Sequence, residues 1–209
     1  MTTFYLVRHG NTAWNREIRF RGQTDVPLDE TGLAQARATG QALATVGLAA
    51  VFSSPLKRAF NTAEIIAREA GLTARPLPDL LDINFGDWQG KSPQEVRQAY
   101  PELLALYETA PHLVHFPNGE SLDTARARYI RAVVSVAGMY PTGAVCLVAH
   151  QAVNRVLMAA VLGIGNEGYW RISQDTCCVN LFQYDPRSHQ FVVDRLNDTH
   201  HLRHLEASG

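Results

Sequence analysis

Two short apolar runs in this chain each stop at a histidine, and that shared ending constrains the fold more than any other feature. The first is Phe4-Tyr5-Leu6-Val7, followed at once by Arg8-His9-Gly10. The second is Ala144-Val145-Cys146-Leu147-Val148-Ala149, followed by His150. Continuous apolar runs of this length read as strands buried on both faces of a sheet. In open α/β sheets, ligands bind just beyond the carboxyl ends of the strands. Two histidines at two such ends, with an arginine beside one, point to a site for phosphate.

Helical and strand patterns alternate along the rest of the chain. A polar loop is expected over about 11–29. Leu33, Ala36, Gly40 and Leu43 recur at helical spacing and predict a helix over about 31–46, stopped by Gly47. Residues 49–52 read as a strand. Ser54 and Pro55 are expected as N-cap and first residue of the next helix, which Gly71 closes. Ser92-Pro93-Gln94-Glu95 has the form of a capping box, and Pro101 breaks or restarts the helix it opens. Further helices are expected over about 122–137 and 151–162, either side of a strand at 145–149. Residues 179–184 and 191–196 read as closing strands joined by an Asp-Pro-Arg-Ser turn. The alternation predicts an α/β fold: a three-layer α/β/α sandwich with a mainly parallel sheet. One domain is expected over 1–209, with a lid-like insertion at about 79–118.

Composition excludes several classes of function. The 209 residues suffice for a sizeable core. A formal net charge of -1 offers no basic footprint for nucleic acid or an anionic membrane. No apolar run approaches the roughly 18 residues of a membrane span, and the N-terminus lacks a signal-peptide pattern. The cysteines are Cys146, Cys177 and Cys178, with no CxxC pair, so neither a disulfide framework nor a zinc site is indicated. A cytoplasmic protein without nucleic-acid or membrane partners is expected.

Arg58 breaks a local rule. It falls in the first turn of its helix beside Lys57, where the helix dipole favours acidic residues. Either both side chains reach solvent or an anion sits nearby, and such conflicts tend to mark functional sites. Arg8, His9, Asn15, Arg58 and His150 form a coherent set. Guanidinium groups grip phosphate oxygens through paired donors. Asn15 offers an uncharged hydrogen bond. A neutral imidazole is a competent nucleophile, and a second histidine, as imidazolium, can stabilise charge developing on the phosphoryl group. No histidine pair has metal-ligand spacing on a helix, so no metal and no cofactor are expected. His9 and His150 each have a plainer reading as buried core histidines. Trp14, Phe85 and Trp88 are either walls of a site or packing beneath it. His112 and His115, and the tail residues His200, His201 and His204, are expected at the surface.

The motifs also carry a family resemblance. LVRHGNTAWN, RGQTDVPLDETGLAQA, SSPLKRAFNTA, LDINFGDWQG, FPNGES and VAHQAVNR occur in the order found in the histidine phosphatase superfamily, the phosphoglycerate-mutase-like proteins, and span nearly the whole chain. The resemblance implies that His9 attacks phosphorus and becomes a phosphohistidine. Arg8, Asn15, Arg58 and His150 would form the phosphate pocket, with His150 also catalytic. Asp82 would protonate the leaving oxygen. Arg21, Gly22 and Gln23 lie in a loop that approaches the substrate in this family. Three positions depart from the common pattern. Asn11 and Asp82 stand where many relatives have Glu, and Gln151 follows His150 where mutases tend to have Gly. HQAV is instead similar to phosphatase branches.

The expected function is therefore a metal-independent phosphatase of a small phosphorylated metabolite, acting through a phosphohistidine. The layout resembles metal-independent phosphoserine phosphatases and α-ribazole phosphatases, which makes phosphoserine a candidate substrate. The alternatives are a phosphoglycerate mutase, which would need a longer lid, and a non-catalytic phospho-ligand binding module, which would have no need of a nucleophile. Arg21 could bind a substrate carboxylate, contact a second phosphate or face solvent. The two closing strands could supply a sheet edge for a homodimer.

Overall fold

The two apolar runs are neighbouring strands. In the computed structural model, which describes residues 1–206, β1 (Thr2–Arg8) and β4 (Gly143–Ala149) pair in parallel, with Phe4 opposite Val145 and Arg8 opposite Ala149. β2 (Leu48–Ser53) lies beyond β4 and β3 (Ala74–Pro76) beyond β2, all parallel. On the other side, β5 (Val179–Asp185) runs antiparallel to β1, and β6 (Gln190–Asp198) antiparallel to β5. The six strands are ordered β3-β2-β4-β1-β5-β6. Only β5 opposes the rest, so the sheet is mainly parallel as expected.

Helices cover both faces. They are α1 (Ala13–Glu17), α2 (Glu30–Leu43), α3 (Lys57–Glu69), α4 (Pro93–Ala99), α5 (Pro101–Thr109), α6 (Leu122–Met139), α7 (Gln151–Val161) and α8 (Arg203–Glu206). Side chains alternate across the strands and so divide between two cores. Phe4, Leu6, Val145 and Leu147 join Tyr129, Val133, Val153 and Leu157 of α6 and α7. Val7, Val51, Cys146 and Val148 join Leu43, Ala59, Ala63 and Ile66 of α2 and α3. Each large side chain fully buried this way stabilises the fold by about 1.5–3 kcal/mol. Residues 79–118 pack over the α6–α7 face. There Phe85, Trp88, Tyr107 and Phe116 meet largely edge to face and belong to the same core. Among the described residues, no helix is long and apolar enough to cross a membrane.

Local structure departs from expectation at several points. The 11–29 segment is not all loop: it contains α1, whose first turn is closed by the Asn15 side chain accepting from the Thr12 backbone N–H at 3.0 Å. The short edge strand β3 has no counterpart in the sequence reading. α2 starts at Glu30, with the Asp29 carboxylate capping Gly32 N–H at 2.8 Å, and ends at Leu43 rather than near 46. Ser54 and Pro55 do not open α3. Its N-cap is Leu56, because Asp25 supplies the cap from a distance by accepting the Lys57 N–H at 2.8 Å. Ser92 and Glu95 do form the capping box, and Pro101 restarts the chain as α5. His201 is half-buried rather than solvated, with Nε2 3.0 Å from the Thr39 hydroxyl, because the tail packs Leu202 against α2.

Candidate active site

The register of β1 and β4 sets the centre of the site. Arg8 lies opposite Ala149, so the next residues, His9 and His150, emerge side by side at the carboxyl edge. Their ring centroids are 5.2 Å apart. The chain then turns at Gly10, where the start of α2 presses so close that a Cβ would stand 2.5 Å from the Gly32 carbonyl oxygen. Only glycine permits that approach. The turn also brings the Gly10 carbonyl to 2.7 Å from His9 Nδ1. A carbonyl can only accept, so Nδ1 carries the proton and Nε2 keeps its lone pair. Burial, reinforced by Arg58, Arg8 and Arg21, holds the His9 pKa well below its ordinary 6.5.

Arg58 lies beside His150 and organises the loop and acid segments around it. It is fully buried in the first turn of α3. Its Nη1 donates to the Thr24 carbonyl at 2.7 Å, its Nη2 to the Gly22 carbonyl at 2.7 Å and to Asp82 Oδ2 at 3.1 Å. The local rule is thereby satisfied on both counts, with Lys57 beside Asp25 and Arg58 beside Asp82. Arg58 Nε donates to His150 Nδ1 at 3.1 Å. A guanidinium cannot accept, so a neutral His150 must carry its proton on Nε2. That atom is buried with no partner among the described residues. Burial and then Arg58 hold the His150 pKa well below 6.5. The second histidine therefore enters the site as a neutral N–H donor, in place of the imidazolium that the sequence suggests.

Asp82 is 6% exposed. Its Oδ1 accepts from the Ile83 N–H at 2.9 Å, and its Oδ2 lies 3.8 Å from His150 Nδ1. Burial pushes its carboxyl up against the opposing pull of Arg58. His9, Asp82, Arg21, Gly22, Phe85 and Gln151 help line an inner cleft of about 80 Å³. An outer cavity of about 470 Å³ adjoins it through Arg21 and Gln151, with Arg8, Asn15, Trp14 and Arg155 also in its walls.

Not all expected residues face the inner cleft. Arg8 donates to the Gln174 carbonyl at 2.6 Å, and its Nε is buried without a partner among the described residues. Burial, then Arg21, brings its pKa down to about 10. Asn15 lines the outer cavity, and its Oδ1 accepts from Arg21 at 2.6 Å and from the Thr12 hydroxyl at 2.8 Å. Gly22 adopts φ +49° and offers its carbonyl to Arg58. Gln23 is turned toward the acid segment, donating from Nε2 to the Asp82 carbonyl at 3.1 Å, while its own N–H goes to Gln89 at 2.6 Å. Phe85 is a wall of the cleft and Trp14 of the outer cavity, whereas Trp88 is packing beneath, fully buried against Phe20. His112 and His115 line neither cavity. Arg155, the last residue of VAHQAVNR but given no role from the sequence, lies four residues after Gln151 on α7. That spacing puts both on one helix face, and it was the available signal. Among the described residues, no three His, Cys, Asp or Glu side chains are grouped to hold a metal ion.

The site thus joins an imidazole with a free lone pair, an imidazole N–H donor, buried guanidinium groups and a carboxyl of raised pKa. A sequence model of the histidine phosphatase superfamily (branch 1) matches residues 4–199. Phosphoserine phosphatase 1 of Hydrogenobacter thermophilus (strain DSM 6534 / IAM 12695 / TK-6) is 32% identical over 202 residues, covering 97% of this chain and 95% of that protein. A Yersinia pestis (strain Pestoides F) protein named "Probable phosphoglycerate mutase GpmB" is 30% identical over 206 residues, covering 97% and 95%. The solved structure of Bacillus stearothermophilus YhfR superposes with a TM-score of 0.91 at 33% identity, covering 97% of this chain and all of that one. The chain belongs to the histidine phosphatase superfamily and is an enzyme of phosphomonoesterase type.

Proposed function

We propose that this enzyme hydrolyses a small phosphomonoester through a phosphohistidine on His9, without a metal ion. The observation that carries the reading is the 2.7 Å contact between His9 Nδ1 and the Gly10 carbonyl, which leaves Nε2 as the nucleophilic atom. In the first step Nε2 attacks phosphorus, the ester P–O bond breaks, and Asp82 gives its proton to the leaving oxygen. Arg8 and Arg58, with the His150 Nε2–H, stabilise charge on the phosphoryl oxygens. In the second step water attacks phosphorus and gives a proton to the Asp82 carboxylate, and the P–N bond breaks to release inorganic phosphate. The raised pKa of Asp82 suits a group that must hold a proton in the first step and recover it in the second.

Phosphoserine is the first substrate to test, because a relative matched over nearly its whole length bears that name. The mutase-named relative supplies the second reading, in which the phosphohistidine passes its phosphoryl group to a product hydroxyl rather than to water. Quenching in alkaline detergent during turnover of a substrate labelled in its phosphate, with EDTA present, is the deciding experiment. Protein-bound phosphate that is labile to acid and stable to base, and lost in His9→Ala, is expected. Turnover without covalent phosphate in a single-turnover quench overturns the mechanism. Phosphate release from L-phosphoserine without interconversion of 3- and 2-phosphoglycerate distinguishes the phosphatase from the mutase.

A further inference from the structure

The segment that carries Asp82 has no regular secondary structure over 81–85, so its backbone groups must find partners outside a ladder or helix. Its first two carbonyls, and the two just before it at the end of a short 3-10 turn, do so through side chains. Arg128 Nη1 donates to the carbonyls of Asp79 at 2.9 Å and Leu81 at 2.6 Å, and its Nη2 to that of Asp82 at 3.1 Å. The Tyr129 hydroxyl donates to the Leu80 carbonyl at 2.7 Å. Both residues come from α6. Just past Asp82, Glu120 grips Asn84 twice: its carboxylate accepts the Asn84 N–H at 2.8 Å, and its own N–H donates to the Asn84 carbonyl at 2.9 Å. Arg128 and Glu120 pair at 2.5 Å, each with 13% of its side chain exposed. One fork and one carboxylate therefore hold the backbone on both sides of Asp82.

We infer that Arg128, braced by Glu120, is a positioning residue that sets the reach of Asp82 toward the leaving oxygen. The inference rests on Asp82 being the proton donor. Aspartate is one methylene shorter than glutamate, so the carboxyl reaches the leaving group only as far as its backbone allows. Misplacement of about 1 Å by a distant substitution is enough to cost roughly 10²-fold in rate. The guanidinium is suited to the task because its planar donors bind several acceptors at fixed angles, which a lysine cannot do.

The test is the dependence of kcat/KM on leaving-group pKa across substituted phenyl phosphates. A lost or displaced acid steepens that slope, because nitrophenolate leaves unprotonated and phenolate leaves poorly. Arg128→Met is expected to lower kcat/KM for phenyl phosphate by about 10- to 100-fold, to spare p-nitrophenyl phosphate within about threefold, and to be partly restored as Arg128→Lys. Glu120→Gln keeps an oxygen for Asn84 but loses the charge pair, so a smaller steepening is expected. It provides the same reading if Arg128→Met does not fold. Equal losses on good and poor leaving groups, or no loss, overturn the positioning role. Asp82→Asn is measured alongside. If it steepens the slope and the Arg128 and Glu120 variants do not, the positioning inference fails while the mechanism stands. If Asp82→Asn leaves the slope unchanged, Asp82 is not the donor and both fail.

Discussion

His9 and His150 stand at the ends of paired strands, whereas Asp82 stands in a segment with no ladder, and the two sides of the cleft owe their geometry to different bonds. On the strand side, register does the positioning. Backbone hydrogen bonds between β1 and β4 place the two imidazoles together, and the His9 N–H continues the ladder with a 2.9 Å bond to the Ala149 carbonyl. On the loop side, side chains do it: Arg128, Tyr129, Glu120 and Gln23 hold the backbone around Asp82. A ladder shares its load over many peptide groups. A side-chain clamp concentrates it in a few residues, so single substitutions far from the cleft should reach the chemistry on the loop side more readily.

The largest expected effect tests the strand side. His9→Ala removes the nucleophile but not the ladder, so steady-state turnover should vanish while Tm stays near wild type. Residual turnover at the wild-type rate would remove His9 from the chemistry. The next effect tests the loop side. Asp82→Asn should lower kcat/KM by about 10²–10⁴ for alkyl phosphates and far less for p-nitrophenyl phosphate. Equal loss for both would mean that Asp82 serves only to hold Arg58.

The contrast also explains what could be read from the sequence. Strand ends are local signals: an apolar run, a stop and a polar residue lie within ten positions of one another. His9 and His150 were legible for that reason, as were the parallel sheet and its two helical layers. Clamps are not local. Arg128 sits in a helix whose pattern reads only as amphipathic, and the carbonyls it holds are 46 to 49 residues earlier in the chain. The same reason moved the start of α3, because Asp25 caps it from a distance and Ser54-Pro55 do not. The protonation state of His150 was hidden likewise, since it depends on which atom of Arg58 faces which ring nitrogen.

A substitution at the end of the ladder sharpens the comparison from the strand side. Gly10→Ala would drive a Cβ into the Gly32 backbone at the start of α2. Neither partner is a flexible side-chain tip, so the strand end or the helix must move. A loss of about 1–3 kcal/mol is expected, read as a lower midpoint in urea, together with impaired turnover because the Gly10 carbonyl orients His9. An unchanged midpoint would show that the strand end yields as easily as a loop.

The smallest expected effect is the dependence of stability on pH, and here the two sides should oppose one another. His9 and His150 have folded pKa values well below the ordinary 6.5. Below pH 6.5 the unfolded chain takes up protons that these buried rings refuse, so stability present above that pH is progressively lost as pH falls. Asp82 has a raised pKa and works the other way. From the ordinary 3.8 up to its raised value, the folded state keeps a proton that the unfolded state has released, so stability falls as pH rises through that window. Each histidine contributes a slope of at most about 1.4 kcal/mol per pH unit. Between pH 7.5 and 5.5 the histidines should prevail, because two rings oppose one carboxyl, and the wild-type Tm should fall with acidification. His9→Asn should flatten that fall, and Asp82→Asn should steepen it if the raised pKa of Asp82 reaches into the range. A wild-type Tm that is level across the range, or a His9→Asn profile parallel to wild type, would mean that the strand-side imidazoles accept protons in the folded enzyme as readily as in the unfolded chain. The lone pair assigned to His9 Nε2 would then be protonated under mildly acidic conditions.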